Sequence, residues 1–226
     1  MKALSSPTHT VRGLATAALV SASMFPLIVI ALNLVQRHEY SPTGQAISEL
    51  ALGTGGDLMI LAFCGLGLGI FLLALIIFRT SAKARVTPLL LTLASVPAGP
   101  LSAAFRTDRT GAEATTHGDI HNAAGLAAFL LILVAMITAA YRFRHEPNWR
   151  SQAAATTVLA ALGIATFFLI PLLGNSHFGL AQRLFVGTFI TWILITAFRA
   201  RNISAAERAM PASALDGKPA TNATIS

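Results

Sequence analysis

The sequence predicts an all-α protein, a polytopic membrane helical bundle with six transmembrane helices and both termini in the cytoplasm, and three observations predict it. Of 226 residues, 54% are hydrophobic and only 11% charged, with a mean hydropathy of +0.68. A water-soluble domain has roughly a quarter of its residues charged, so this chain has too little charge to cover a soluble surface. The apolar residues are gathered into runs without Asp, Glu, Lys or Arg, each close to or above the ~20 residues that cross a bilayer. The formal charge of +7 is also placed unevenly. Twelve basic residues fall at the ends that would share one side: Lys2, Arg12, Arg79, Lys83, Arg85, Arg142, Arg144, Arg150, Arg199, Arg201, Arg208 and Lys218. Four fall on the other: Arg37, Arg106, Arg109 and Arg183. This positive-inside bias puts the termini in the cytoplasm and orients the protein in a cell membrane; it implies no nucleic-acid partner.

The spans follow in order. Gly13–Gln36 is the first; its apolar run continues past the small residues Ser21, Ala22 and Ser23, too long for a signal-peptide core, so it is expected to be retained. Ser41-Pro42-Thr43-Gly44 is a turn signal, and Gln45–Leu52 is expected to form a short helix lying in the interface, over the mouth of the bundle. Asp57 is expected to cap the second span, Leu58–Phe78. There Gly65 and Gly69 have the small-xxx-small spacing of close helix contacts. Cys64, the one cysteine, forms no intrachain disulfide and is expected in helix packing. The third span, Val86–Phe105, carries Pro97 and Pro100 in its outer half and is expected to kink there, with a cavity beside Arg106 and Asp108 as the sharper alternative. The fourth runs from Ile120 to Tyr141, the fifth over Ala153–Leu173 with a bend at Pro171, and the sixth over Leu180–Phe198. Residues 1–12 form a cytoplasmic segment and 13–200 the membrane domain; the tail 201–226, rich in Ala, Ser, Pro and Thr, is expected to be disordered.

Six of the nine acidic residues (Glu39, Glu49, Asp57, Asp108, Glu113 and Asp119) and four of the six histidines (His38, His117, His121 and His177) fall on the outer side, which marks an extracytoplasmic site. The stretch "THGDIHNAAG", Thr116–Gly125, is its densest part. In one continuous helix His117 and His121 share a face, as two metal ligands or proton carriers would. The alternative makes Asp119 the N-cap, with Asn122 at the third helical position, His121 in the first turn and His117 in the loop. A divalent metal such as zinc would take His117, His121 and the distant His177, with Asp108 as ligand or as the base that activates water. Arg106 pairs with Asp108 or holds a lipid phosphate. Arg183, about one turn into the sixth span, either reaches to the headgroups or pairs with Glu49, Asp57 or Asp108. Gln182 adds a hydrogen bond across the bundle, and Tyr40 and Ser41 close the same cap.

The segments "YSPTGQAISEL", "FRTD", "HGDIHNAAG" and "GLAQR", in that order over about residues 12–200, resemble the DUF998 family of bacterial and archaeal membrane proteins. The resemblance implies six spans, a plasma-membrane location and an outer polar cluster without an assigned activity. It also implies Tyr40, Ser41, Ser48, Glu49, Asp108, His117, His121 and Arg183 as characteristic positions. Arg106 stands where the family's third-span segment often has proline.

Three functions fit these residues. One is an integral membrane protein whose polar cap, with Tyr40, Ser41, Glu49, Arg106, Gln182 and Arg183, binds a lipid or a membrane protein partner. Another is a metal-assisted hydrolase of a lipid-linked substrate, with Asp108, His117, His121 and Arg183 in the reaction. The last is a proton-coupled transporter, against which the middles of the helices are nearly free of ionisable groups.

Overall fold

The structure, a computed structural model, describes residues 7–81 and 84–209. Lys2, Lys83, Lys218 and the tail beyond Ala209 lie outside the described residues. Six helices are long and apolar enough to cross a membrane: Thr10–Val35, Leu58–Thr80, Val86–Ala104, Thr116–Phe143, Arg150–Leu172 and Phe178–Asn202. They are called the first to sixth spans below. Each packs on its chain neighbours and the sixth returns to the first, so the bundle closes as a ring, with the second span also reaching the sixth. Large apolar side chains such as Leu34, Leu61, Leu89, Leu126 and Phe168 point outward, as lipid-facing residues do. Cys64 is among the exposed residues, on an outward face rather than in a helix contact.

Small residues set the helix spacing. A Cβ on Gly65 would meet the Ser21 carbonyl oxygen at 2.9 Å and one on Gly69 would meet the Ala22 Cβ at 2.8 Å, so the small-xxx-small pair seats the first span. Gly67 does the same for the third span, where a Cβ would stand 2.6 Å from the Gly99 Cα. That contact falls in a π-helical turn, Pro97–Leu101. Pro97 and Pro100 cannot donate to the carbonyls one turn earlier, so the ladder widens there, and Ser102 Oγ donates instead to the Pro97 carbonyl at 2.6 Å.

At one end, the basic end, Trp149 is buried against Phe143, ring on ring at 4.8 Å, and the Ser81 hydroxyl donates to Glu146 at 2.8 Å. The last helix runs on to Ala209, into the segment expected to be disordered. At the other end three connections converge: residues 36–57, 105–115 and 173–177. The first of them packs onto the bundle. Its Ile47–Leu52 is a 3₁₀ turn with Ile47, Ser48, Glu49 and Leu50 buried, so it plugs the bundle. The buried Gln36 amide holds it by donating to the carbonyls of Leu50 at 2.9 Å and Thr54 at 3.0 Å.

Candidate functional site

The polar residues of the capped end divide into those that stitch the cap and those that line a cavity beneath it. Arg183 belongs to the first group. A Cβ at Gly179 would run into the Pro42 and Gln45 carbonyl oxygens, so glycine lets the first connection approach the start of the sixth span. One turn later Arg183 Nη1 donates to those same carbonyls, at 2.7 Å to Pro42 and 3.1 Å to Gln45, and Nη2 donates to the Tyr40 hydroxyl. The guanidinium therefore neither snorkels nor pairs with Glu49, Asp57 or Asp108: carbonyl dipoles and a phenol satisfy it. Burial pushes the Tyr40 phenol above its ordinary value, and the Arg183 charge only partly opposes this. Tyr40 thus keeps its proton and donates to the Ala46 carbonyl at 2.8 Å. Ser41 is exposed, its amide donating to Gln45 Oε1 at 2.7 Å.

Glu49 joins the first connection to the second. It accepts from the Thr110 amide at 3.0 Å and the Thr110 hydroxyl at 2.6 Å, and from the Ala46 amide at 3.0 Å and the Gln45 side chain at 3.0 Å. Burial works against its ionisation, but these bonds outweigh it and hold the carboxyl below the ordinary range. Asp108 makes no hydrogen bond to an imidazole among the described residues, although the His117 ring is near enough to interact with its charge. Asp108 accepts from the Thr115 amide and hydroxyl, both at 2.8 Å, and these bonds, the amide's first, keep its carboxyl low.

Those contacts correct the reading of the "THGDIHNAAG" stretch. The fourth span starts at Thr116 and its N-cap is Thr115, whose hydroxyl accepts from the Gly118 amide at 3.1 Å. Asp119 sits exposed in the first turn and caps nothing; Asp108, from another segment, supports the cap instead. Gly118 is glycine because a Cβ would collide with the Asp108 carboxylate. His117 and His121 lie in one continuous helix, yet they part company. His117 is exposed, with its ring edge-on to Phe105 at 5.3 Å. His121 is buried against Phe63. His177 is exposed beside Ser176. Among the described residues no three His, Cys, Asp or Glu side chains come together as a metal would require. Asp57 holds the N-cap position of the second span without a capping bond and pairs with Arg106 at 2.6 Å, both well exposed. Arg106 therefore takes Asp57, not Asp108, as its partner.

His121, Ser48 and Gln182 form the second group. With Asn122, Gly125, Phe129, Phe167, Pro171 and Phe178 among its walls, a cavity of about 540 Å³ lies between the fourth, fifth and sixth spans under the plug. A smaller one of about 60 Å³ shares Ser48, His121, Gly125, Phe129 and Gln182 and reaches Ile132 and Phe189 at the bundle centre. His121, Gly125, Ala128 and Ile132 fall on one helix face by their spacing. His121 Nδ1 lies 2.8 Å from the Phe105 carbonyl oxygen, which can only accept, so in the neutral ring Nδ1 carries the hydrogen and Nε2 is the acceptor; the Ser102 backbone also lies against the ring. Gln182 Oε1 accepts from the Ile47 amide at 2.8 Å, which turns its NH₂ to donate elsewhere. The Ser48 hydroxyl has no hydrogen-bond partner among the described residues. The phenylalanines and Gly125 were not singled out from the sequence. The usable signal was a glycine one turn after His121 on the same face.

A family model described as a protein of unknown function, DUF998, matches residues 17–199. No curated protein and no solved structure matches the chain.

Proposed function

The chain belongs to the DUF998 family of proteins of unknown function, and from that premise we propose that this multi-pass membrane protein binds a lipid in the cavity beneath its cap. The observation that carries the reading is the cavity itself. Its ~540 Å³ falls within the ~300–1,000 Å³ of small-molecule sites, and its walls are apolar with a few placed polar groups. Leu126, Phe168 and Leu172 face outward around the same spans, so a ligand reaches it from the lipid phase. The charge bias orients the capped end away from the cytoplasm of the cell membrane, so the lipid comes from the outer leaflet. The cap then works as a fixed lid: Arg183, Tyr40, Glu49 and Asp108 hold it, and none of them touches the ligand.

Gly125 supplies the test, because a Cβ there meets nothing within 4 Å. Gly125→Leu fills the cavity without straining the helix. Native mass spectrometry of the purified protein should show a lipid retained by the wild type and lost from Gly125→Leu at unchanged thermal stability. Equal retention by both would sink the proposal.

A further inference from the structure

We infer that the lipid held in this cavity has an uncharged hydroxyl head, and that phosphate-bearing lipids are excluded from it; the inference rests on the lipid-binding reading above. None of the twelve residues lining the larger cavity is Asp, Glu, Lys or Arg. Of the arginines at the capped end, Arg109 lines a separate pocket with Gln36, Glu39, Tyr40, Gln45 and Glu49, and two others are committed elsewhere. Arg183 is held by Tyr40 and the Pro42 and Gln45 carbonyls. Arg106 is paired with Asp57, and the crevice it shares with His121 has only about 10 Å³. A phosphate drawn in against the buried Ser48 and His121 would lose its hydration and find no counter-charge among the lining residues, which buried anions do not tolerate.

What the site offers instead is neutral and two-sided. His121 Nε2 accepts, the Gln182 NH₂ donates, and the Ser48 hydroxyl does either. A ligand hydroxyl both donates and accepts, so it can satisfy His121 and Gln182 together, whereas an ester-only or ether-only head can only accept. Phe129, Phe167 and Phe178 provide apolar wall for the chain. The chemical class is therefore a long-chain lipid with a free hydroxyl, such as a diacylglycerol or a long-chain alcohol.

The test compares dioleoylglycerol, its methyl ether and dioleoyl phosphatidic acid on the full-length protein in neutral detergent, by competition in native mass spectrometry. Dioleoylglycerol should bind at least tenfold tighter than phosphatidic acid. Methylation of the hydroxyl should weaken it about three- to tenfold, as expected for one hydrogen bond. Ser48→Ala or His121→Phe should narrow the difference between the alcohol and its ether; the ether itself probes the same bond in unaltered protein. Phosphatidic acid binding as well as the alcohol, or an ether equal to the alcohol, in a manner still blocked by Gly125→Leu, overturns the hydroxyl assignment and leaves lipid binding standing. Binding of all three that ignores Gly125→Leu, or no binding of any, overturns both.

Discussion

Replacing Glu49 by Gln keeps the size of the side chain and removes its charge, and the structure sets the size of the effect. One carboxylate oxygen accepts from the Ala46 amide and the Thr110 hydroxyl, the other from the Gln45 side chain and the Thr110 amide. A carboxamide retains one such oxygen and presents an NH₂ to two donors. Whichever way it turns, a backbone amide, of Ala46 or of Thr110, loses its acceptor. Bonds to a charged group contribute about 1.5–3 kcal/mol each. Glu49 is 4% exposed, so water returns little of the loss on its side, while Thr110 is exposed and recovers part. The net cost is then about 2–4 kcal/mol, or ~30- to 1,000-fold in the equilibrium for opening the cap. Hydrogen exchange read by mass spectrometry over residues 41–57 and 105–115 measures that equilibrium directly. Acid gives the matching sign. The Glu49 carboxyl titrates below its unfolded value, so its contribution is present above the ordinary ~4.3 and is lost as pH falls through the lower folded value. Wild-type protection of 41–57 should fade in that window, whereas Glu49→Gln should be less protected at neutral pH and lack this acid step. Asp108 adds an acid loss of the same sign to the second connection, which leaves 41–57 as the diagnostic segment. Equal exchange of the two proteins in both segments at neutral pH would refute the reasoning.

Two arginines of the capped end should behave in opposite ways. Arg183→Lys keeps the charge but cannot fork between the Tyr40 hydroxyl and the two loop carbonyls, which should cost about 2–3 kcal/mol and lower the Tm in detergent by ~4–10 °C. Arg106→Ala removes an ion pair whose side chains are 57% and 83% exposed, and should change stability by less than ~1 kcal/mol. Thermal unfolding of both variants checks the contrast, and a shift for Arg106→Ala as large as for Arg183→Lys would contradict it.

The reach of the sequence is clearest where local chemistry decides. A glycine at 65 and another at 69 announce a close helix contact because the missing Cβ is itself the cause, and the first span does lie there. Pro97 and Pro100 announce a broken ladder for the same kind of reason, and the π turn is the result. The cap of the fourth span is different. Asp119 has the right chemistry for an N-cap, but Thr115 holds the position because Asp108, brought alongside by the fold of the second connection, fixes its amide and hydroxyl. The sequence offers Arg183 three carboxylates, yet the partners that tie it to the cap are carbonyls and a phenol more than a hundred positions earlier in the chain.

By itself, then, the sequence determined the number and order of the spans and the side on which polar residues gather. A bilayer leaves no alternative: each segment crossing it must satisfy its own backbone and show apolar side chains to lipid, and both demands are written residue by residue. Tertiary structure alone decided which of those polar residues bind each other and which are left to line a cavity. Hydrogen bonds form between groups a few ångströms apart, and at the capped end that nearness comes from three connections folding onto one another. A plug at Ile47–Leu52 takes up Glu49 and the Gln182 oxygen, and leaves Ser48, His121 and Gln182 lining a space walled by phenylalanine.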